Sequence, residues 1–598
     1  MSATLFTADL KDIRFVLFEQ LESESTLGPF YEEYNEESAA EFLESAHEMA
    51  QSVLHPINGP GDHQGCRYDS NEKSVITPNG YKEAWNTLAE NGFFQISAPV
   101  EYEGLGMPHV LDMAIGEMFT GACMAFALYP GLSRSAASLL REYGDAHNKD
   151  LIISKLYSGE WAGTMCLTEA GAGSDVGANA AKAVKVSEDT YELTGEKIFI
   201  SSGDHDLTEN IIHLVLARTP GAEDGTKGLS IFLVPKFIFD ADGNLGERNG
   251  IFVSGIEEKM GIHGSATCTL ALGADRKCVG YLLGNEQQGI EIMFHMMNEA
   301  RLEVGVQGLS GASAAYQYAK HYAKERIQGT DIRKFGQKDA PKVAINKHPD
   351  VRRMLMNQKV LVETMRSFIY TVAHQIDTYL HTDDPTLKRN LKGQIDLMTP
   401  IVKSYCSDRG FESAVLGLQT FGGYGYCSEY PVEQLVRDSK IASIYEGTNG
   451  IQAMDLLGRK MRKANGALFM TWMQEVQKEV SAAKAHDSIT AEADAVNKAL
   501  QFLGQSAMHL GGVAQGGNIA GSMLQAMPFL DQFGNVVLAN HALRQARIAI
   551  EKGDDSNFYK GKVLNLKFYV NNILPQSVAL GKQITSKDES CLDEALFQ

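Results

Sequence analysis

The sequence predicts an α+β protein that is mostly helical, with a β domain between helical parts of the chain. Three observations predict it: apolar residues recur at helical spacing before residue 161, short β-rich runs follow, and helical spacing returns from residue 290. At roughly 150 residues per domain, 598 residues are expected to form about four domains. We place an N-terminal helical domain at 1–160, a middle β domain at 161–285, a helical domain at 286–463 and an additional C-terminal helical bundle at 464–598.

The first domain is predicted from amphipathic periodicity. In one segment Tyr81, Ala84, Trp85 and Leu88 fall on one helical face. Residues 58–80 are rich in Gly, Pro, Asn and Asp, which predicts a surface loop. Helices are predicted at residues 37–55, 80–92, 111–143 and 148–158.

The later domains follow from changes in this periodicity. Strands are predicted at residues 163–167, 191–194, 197–201, 211–217 and 229–234, where β-branched and aromatic residues lie between turn residues. Helices are predicted at 300–324, 351–379 and 400–420. In the last bundle, breaks are expected at Gly504, Gly511-Gly512, Gly516-Gly517, Pro528 and Gly553.

Composition excludes several classes of protein. A formal charge of −21 argues against general nucleic-acid binding, which needs a basic face. The eight cysteines contain no CxxC pair, so neither a disulfide framework nor a metal site is predicted, and a reducing cytoplasm is expected. The first residues lack an apolar signal region, and no stretch approaches about 18 consecutive apolar residues. We therefore expect a soluble cytoplasmic protein.

Three segments concentrate residues that carry chemistry. They are Thr168-Glu-Ala-Gly-Ala-Gly-Ser-Asp175, Lys197-Ile-Phe-Ile-Ser-Ser-Gly203 and Ile444-Tyr-Glu-Gly-Thr-Asn-Gly-Ile-Gln452. The chain lacks GxGxxG at this first loop, and it has no Walker sequence, HExxH or GxSxG. A Rossmann nicotinamide enzyme, a zinc protease and a serine hydrolase are therefore disfavoured together.

Each segment can be interpreted as a functional site or as ordinary structure. The loop from Gly171 to Ser174 can present backbone N–H groups to a flavin edge or a phosphate, or it can be an ordinary turn. Strand alternation places Phe199 and Ser201 on one side of the strand, where Phe199 could stack on a flavin ring and Ser201 could hydrogen-bond its edge. The alternative is that Phe199 is a core residue, as most such Phe residues are. Glu446 lies in a neutral stretch, where an apolar pocket would raise its pKa toward that of a useful base; the alternative is a solvated loop carboxylate.

The three segments, in this order and at these separations, resemble the acyl-CoA dehydrogenase family. The resemblance covers roughly residues 40–460. It implies that family's N-terminal helical, central β-barrel or sandwich and C-terminal four-helix domains, to which this chain adds a helical bundle. Further matching motifs are Glu258-Lys-Met-Gly-Ile-His-Gly264, Tyr322-Ala-Lys-Glu-Arg326, Leu418-Gln-Thr-Phe-Gly-Gly-Tyr-Gly-Tyr426, Glu429-Tyr-Pro-Val-Glu433 and Arg437-Asp438.

The resemblance implies FAD-dependent α,β-dehydrogenation of an acyl-CoA to a trans-2-enoyl-CoA, as in fatty acid β-oxidation. Glu446 would take the α-proton while flavin N5 takes the β-hydride, and the backbone N–H of Glu446 with a ribityl hydroxyl would hold the thioester oxygen. It implies FAD contacts at Thr168, Gly173, Ser174, Phe199, Ser201, Arg326, Gln419, Gly423 and Thr448, and substrate contacts at Ser174, Asn298, Arg301 and Gly447.

The resemblance also bears on partners. Arg326, Gln419 and Gly423 would reach the FAD of a neighbouring subunit, which implies a homodimer, and electron-transfer flavoprotein would accept the electrons. The alternative interpretation of Arg326 is a cation at a helix C-terminus, and that of Arg301 is an ion-pairing residue between helices.

Two questions stay open in the sequence. Some members carry the base on another helix just before an Arg, but that position is Ala300 here, and Glu299 is out of register by about 100°. Rival functions are an acyl-CoA oxidase and a DNA-associated alkylation-response flavoprotein, whose basic C-terminal region residues 464–598 lack. The added bundle resembles a long bacterial subgroup that includes 3-(methylthio)propionyl-CoA dehydrogenases, so a fatty acyl-CoA or 3-(methylthio)propanoyl-CoA is the expected substrate.

Overall fold

A computed structural model describes residues 4–144, 149–334 and 336–596. They form two compact units. The central unit comprises residues 41–303, and the helical unit comprises residues 1–40 together with 304–598. The α+β, mostly helical class is confirmed, whereas the four-domain division stays a prediction.

The N-terminal third of the chain is helical, with one small hairpin. Two π-helical turns, Phe15–Gln20 and Ala50–Leu54, continue helices directly. The predicted helix at 111–143 is two helices, because the extended backbone of Cys123 (φ −153°) separates them. Asn148, the first residue of the helix predicted at 148–158, lies outside the described residues. The elements are α1 (Leu10–Arg14), α2 (Ser23–Leu27), α3 (Glu36–Met49), α4 (His55–Gln64), β1 (Arg67–Asp69), β2 (Ser74–Ile76), α5 (Tyr81–Glu90), α6 (His109–Ala122), α7 (Met124–Tyr143) and α8 (Lys149–Ser158).

The β domain completes the central unit. Its strands are β3 (Trp161–Cys166), β4 (Lys182–Lys185), β5 (Thr190–Ser201), β6 (Asn210–Arg218), β7 (Leu229–Pro235), β8 (Phe237–Phe239), β9 (Leu245–Arg248), β10 (Ile251–Ile256), β11 (Thr267–Leu272) and β12 (Cys278–Leu283). Strands β4, β5, β12, β7 and β6 form a hydrogen-bonded ring, with β11 and β10 extending from β5 and β3 from β6. The two predicted strands at 191–201 are one strand, β5, which pairs on both sides.

The helical unit is built around long buried helices. Helices α10 and α11 pack on each other, and α17 packs against α10, α13, α18 and α19. Among the helices that the structure describes, none combines the length and apolar composition needed to span a bilayer. The elements are α9 (Gly289–Glu325), β13 (Ile327–Thr330), β14 (Lys342–Ala344), α10 (Pro349–His381), α11 (Pro385–Phe421), α12 (Val432–Ser439), α13 (Asn449–Gly458), α14 (Ala467–Ala483), α15 (Thr490–Gln515), α16 (Ile519–Leu524), α17 (Ala526–Lys552), α18 (Asn557–Asn572) and α19 (Pro575–Thr585).

The predicted surface loop at 58–80 is wrong. Helix α4 runs to Gln64, and β1 and β2 form a hairpin. Pro56 is the second residue of α4 and directly follows the π-helical turn at Ala50–Leu54, where the regular α-helical bonding pattern is already interrupted. The Tyr81 ring would lie 2.8 Å from a Cβ at Gly61, so a glycine in the helix permits close packing. Tertiary contact therefore outweighs low helix propensity here.

Several predicted breaks in the last bundle are also wrong. Gly504 and Gly511-Gly512 lie inside α15, and Pro528 lies in the first turn of α17, where proline is tolerated. The breaks at Gly516-Gly517 and Gly553 are confirmed, since α15 ends at Gln515 and Gly553 (φ +67°) follows the last residue of α17. A glycine within a buried amphipathic pattern lowers helix stability without ending the helix.

Candidate active site

In the central unit, β5 carries a bulge at the predicted flavin position. Cys268 pairs with Ile200 and Leu270 with Lys197, so β5 has one residue more than its partner between these pairs. Phe199 lies in this bulge with φ +56°, and its side chain is 57% exposed. Plain strand alternation is therefore the wrong argument for placing Phe199. Bulges and positive φ at bulky residues are typical of functional sites.

The loop after β3 lies next to this bulge. The N–H of Ile198 donates to the carbonyl oxygen of Thr168 across 2.9 Å. A Cβ built at Gly171 or Gly173 would meet no atom within 4 Å, and Ser174 is exposed. The structure thus brings an open glycine loop and an exposed aromatic ring to one edge of the barrel, which fits a flat ring ligand.

A buried ion pair fixes this loop to the strand, and the sequence reasoning assigned it no role. The Lys197 ammonium donates to the Glu169 carboxylate (2.7 Å), to the Leu167 carbonyl (3.1 Å) and to the side-chain oxygen of Asn179. Burial lowers the pKa of Lys197. Burial raises the pKa of Glu169, but the ammonium more than offsets this, so the net pKa lies below its usual range. The signal available in the sequence was a lysine at the start of the strand motif Lys197–Gly203.

Asn298 and Arg301, predicted to contact substrate, lie one turn apart on α9. The Arg301 guanidinium donates to the Asn298 side-chain oxygen across 3.3 Å, and it lies 5.8 Å from the centroid of the Phe294 ring. Arg301 is buried, as is Ala300 between these two residues. The structure thus brings together the two polar residues that were predicted on this face.

Glu299 is held by neighbours in the central unit. The Ser138 hydroxyl donates to its carboxylate across 2.7 Å, and Nε2 of His295 lies 3.3 Å away. Burial raises the pKa of Glu299, but the hydrogen bond and charge of His295 lower it further, so the net pKa lies below 4.5. A carboxylate with a lowered pKa is a weak base, which argues against Glu299 as the catalytic base.

In the helical unit, Glu446 lies in a strained loop that precedes α13. Glu446 has φ +56° and Gly447 φ +78°, two successive left-handed residues. Only glycine adopts this conformation without cost, so the Glu446 backbone must be held by its surroundings. The Glu446 side chain is half-buried.

The side chains of Lys403, Gln452 and Gln307 hold this loop, and none of them was predicted as a site residue. The buried Lys403 ammonium of α11 donates to the Gly447 carbonyl (2.7 Å) and to the Asn449 side-chain oxygen (2.8 Å). Gln452 donates to the Glu446 carbonyl across 3.1 Å. Next to them, the Tyr445 hydroxyl bonds the side chain of Gln307. A lysine in the buried stripe of a long helix was the one visible signal.

Thr448 has a local partner. Its hydroxyl accepts a hydrogen bond from the N–H of Ile451 across 3.2 Å, so it is the N-cap of α13. Its predicted contact with the adenosine side of FAD stays a prediction.

Arg326, Gln419 and Gly423 lie in the helical unit on exposed surface or near it. Arg326 follows the end of α9, and its guanidinium lies 5.4 Å from the centroid of the Tyr424 ring. Gln419 and Gly423 are exposed, and a Cβ at Gly423 would meet no atom within 4 Å. The position of Arg326 also fits its interpretation as a helix C-terminal cation.

Family models match the chain in consecutive segments. They are described as acyl-CoA dehydrogenase N-terminal domain (residues 36–160), middle domain (164–274), C-terminal domain (287–461) and acetyl-CoA dehydrogenase C-terminal like (472–594). The middle-domain segment contains the barrel loop and bulge, and the 287–461 segment contains the Glu446 loop. The fold and these family matches thus define an acyl-CoA dehydrogenase.

Relatives at the level of the whole chain agree. The broad-specificity linear acyl-CoA dehydrogenase FadE5 of Mycobacterium tuberculosis is 35% identical, over 99% of this chain and 100% of that one. The 3-methylmercaptopropionyl-CoA dehydrogenase of Ruegeria pomeroyi is also 35% identical, over 99% and 100%. The solved Caenorhabditis elegans ACDH-11, in complex with C11-CoA, shares the fold (TM-score 0.78, 20% identity, 99% and 97% covered). The chain belongs to the acyl-CoA dehydrogenase family and is an FAD-dependent oxidoreductase.

Proposed function

We propose that this enzyme removes the α-proton of an acyl-CoA thioester with Glu446 and forms the trans-2-enoyl-CoA. The main support is the Glu446 loop, where a carboxylate lies on a left-handed backbone. Lys403, Gln452 and the hydrogen bond between Tyr445 and Gln307 hold this backbone in place. A general base must be positioned before its pKa matters, so a loop held at this residue supports a catalytic carboxylate. The position before Arg301 is Ala300, which has no proton acceptor.

The other side chains are assigned to binding. The backbone N–H of Glu446 donates to the thioester oxygen and stabilises the charge that develops when the α-proton leaves. Asn298, Arg301, Ser174 and Gly447 contact the CoA thioester.

Phe199 offers its exposed ring, and Thr168, Gly173, Ser174 and Ser201 offer polar groups and open backbone, to a flat ring cofactor. Thr448 contacts the adenosine side of FAD. Bound FAD supplies the two-electron acceptor to which the β-hydride passes.

We further propose a homodimer and a soluble redox partner. Arg326, Gln419 and Gly423 present a cation and open backbone at the surface of the helical unit, as required to contact the cofactor of a neighbouring subunit. Electron-transfer flavoprotein is the proposed acceptor of the electrons. We also propose a cytoplasmic location, because the cysteines among the described residues are free, as a reducing compartment would keep them.

For the substrate, we propose a linear acyl-CoA, with 3-(methylthio)propanoyl-CoA as a specific candidate. Two relatives of equal identity are named for a broad linear range and for the methylthio substrate. A panel of both kinds, assayed with an artificial electron acceptor, orders them by kcat/KM. Air reoxidation of the reduced enzyme over minutes supports a dehydrogenase, and reoxidation in milliseconds would indicate an oxidase.

The deciding experiment is Glu446→Gln, which removes the proton acceptor at nearly constant volume. General-base catalysis contributes about 10²- to 10⁴-fold, so the rate of flavin bleaching on anaerobic mixing with substrate should fall by at least that range while FAD stays bound. Glu299→Gln is the matched control and should retain most of the bleaching rate. Wild-type bleaching by Glu446→Gln, or a dead Glu299→Gln, would show that the base is misassigned.

A further inference from the structure

A basic pocket lies in the helical unit, apart from the residues assigned above. Its volume is about 440 Å³, and it is lined by parts of α9, α10 and α18. Small-molecule sites commonly have volumes of about 300–1,000 Å³, so the pocket is large enough for a metabolite. Its charged lining residues are Lys320, Lys324, Arg352, Arg353 and Lys359.

The positive charge of this pocket is only partly neutralised. Arg353 pairs with Asp350 (2.8 Å), and Lys359 pairs with Glu363. In the described part of the chain, Lys320, Lys324 and Arg352 have no carboxylate oxygen within 4.0 Å. Burial lowers the pKa of Lys320, and the nearby Lys324 and Lys359 lower it further, while the charges of Asp9 and Glu363 oppose this without reversing it. On a chain of formal charge −21, such a local excess of cations attracts anionic ligands to the pocket.

One wall of the pocket is aromatic and apolar. Tyr316 is buried beneath Lys320, whose ammonium lies 5.6 Å from the centroid of the Tyr316 ring. Phe568 of α18 is half-buried, and Leu355 and Met356 of α10 complete the apolar surface. Cations beside aromatic rings are the arrangement that binds a phosphorylated ligand with a flat ring.

The pocket faces away from the residues predicted to contact FAD. Tyr316, Lys320 and Lys324 are spaced by four residues and share one face of α9. Tyr322 lies about 200° around the helix from each of these lysines. Its ring stacks on that of Phe421 (centroids 4.1 Å apart), and Phe421 lies between Gln419 and Gly423 in the sequence. The basic pocket is therefore separate from the proposed cofactor contacts.

We propose that this pocket binds a nucleotide of the adenosine di- or triphosphate class, at a site additional to FAD and acyl-CoA. The phosphates contact Lys320, Lys324 and Arg352, and the base packs against Tyr316 and Phe568. Because the ligand bridges α9, α10 and α18, its binding stabilises the helical unit by mass action.

The test is titration calorimetry of the FAD-saturated enzyme with ATP, inorganic triphosphate and adenosine, without magnesium. Saturating FAD keeps ATP out of the cofactor site. We expect ATP to bind with a dissociation constant that rises steeply with salt, triphosphate to bind several-fold more weakly, and adenosine weakest. Equal binding of triphosphate and ATP would overturn the ring contact, and equal binding of adenosine and ATP would overturn the phosphate contact.

Variants localise the binding. Lys320→Gln combined with Arg352→Gln should weaken ATP at least tenfold, while Lys478→Gln, which changes an exposed lysine on α14, should not. Unchanged flavin absorbance and thermal midpoint check that the double variant is folded; if it is not, Lys324→Gln is titrated instead, with the same expectation. Absence of saturable ATP binding to the wild type, or undiminished binding to the folded variant, would overturn the proposal.

Discussion

At the residue scale, two of the proposed site residues combine a strained backbone with a buried lysine nearby. Phe199 and Glu446 both have positive φ, which costs roughly 1–3 kcal/mol at a non-glycine residue. In each case a buried lysine lies close in the structure: Lys197 at the β5 segment and Lys403 at the Glu446 loop. These lysines bond neighbouring carbonyl and side-chain oxygens and so fix the backbone near each strained residue.

Lys403→Met is therefore predicted to lower kcat at least tenfold with a smaller change in KM. The change leaves the Gly447 carbonyl and Asn449 side chain without their ammonium donor, so the Glu446 backbone can relax from its left-handed conformation. Steady-state kinetics with FAD content measured on the same sample test this. Lys403→Arg retains the charge and should recover part of kcat. A variant that changes only thermal stability, with kcat intact, would remove the positioning role.

At the element scale, sequence patterns predicted element type better than element ends. Strands β3, β6 and β7 and helices α9, α10 and α11 were predicted because their apolar periodicity is regular. Strands β4 and β8 to β12 were missed, since they are short or mixed in polarity. The bulge at Phe199 could not be predicted either, because it depends on register against β11 and not on local composition.

The site follows the same division between local and tertiary information. Glu446 and the glycine loop were predicted as site residues because their motifs are contiguous in sequence. Lys403 and Gln307 act on the Glu446 loop from distant helices, α11 and α9, so only the fold reveals them. Gln452 is close in sequence, but its bond to the Glu446 carbonyl depends on the turn into α13.

The His295–Glu299 ion pair on α9 is predicted to weaken as pH rises. Burial lowers the pKa of His295, but Glu299 raises it further, to a net value above 6.5, with Glu142 adding to the rise and Arg141 opposing it. The pKa of Glu299 is lowered. The pair thus contributes its full stability between about pH 4.5 and 6.5, and loses it as pH rises through the raised pKa of His295. At the acid end, it is lost as pH falls through the lowered pKa of Glu299.

The measurement is the thermal midpoint of the wild type minus that of His295→Gln at each pH. This difference should be largest near about pH 5.5 and should shrink above about pH 7. Glu299→Gln removes the other partner and should give a parallel profile. A difference that is constant from acid to alkaline pH would show that the imidazole contributes only packing.

At the scale of the helical unit, a buried ionic network joins the N-terminal helix, the long helices and the added bundle. Lys562 of α18 bonds Asp12 of α1 and Glu363 of α10 (2.7 Å to Glu363), and Arg366 also bonds Asp12. Burial opposes the charge on Glu363, but Lys359 and Lys562 lower its pKa to about 2. Buried charged side chains thus join residues that are distant in sequence.

Lys562→Met is predicted to destabilise the helical unit by about 3–5 kcal/mol, because it leaves Asp12 and Glu363 buried with one cation fewer. The thermal midpoint should fall by several degrees, and FAD should be released at that lower temperature. Lys560→Met is the matched control, since this lysine lies on the same helix, is exposed and pairs with exposed Asp555, so the midpoint of this variant should stay near that of the wild type. If Lys562→Met and Lys560→Met unfold together with the wild type, the network does not stabilise the fold. If the Lys562→Met protein loses its C-terminal helices to protease while the rest stays folded, the added bundle is held chiefly by this network of charges.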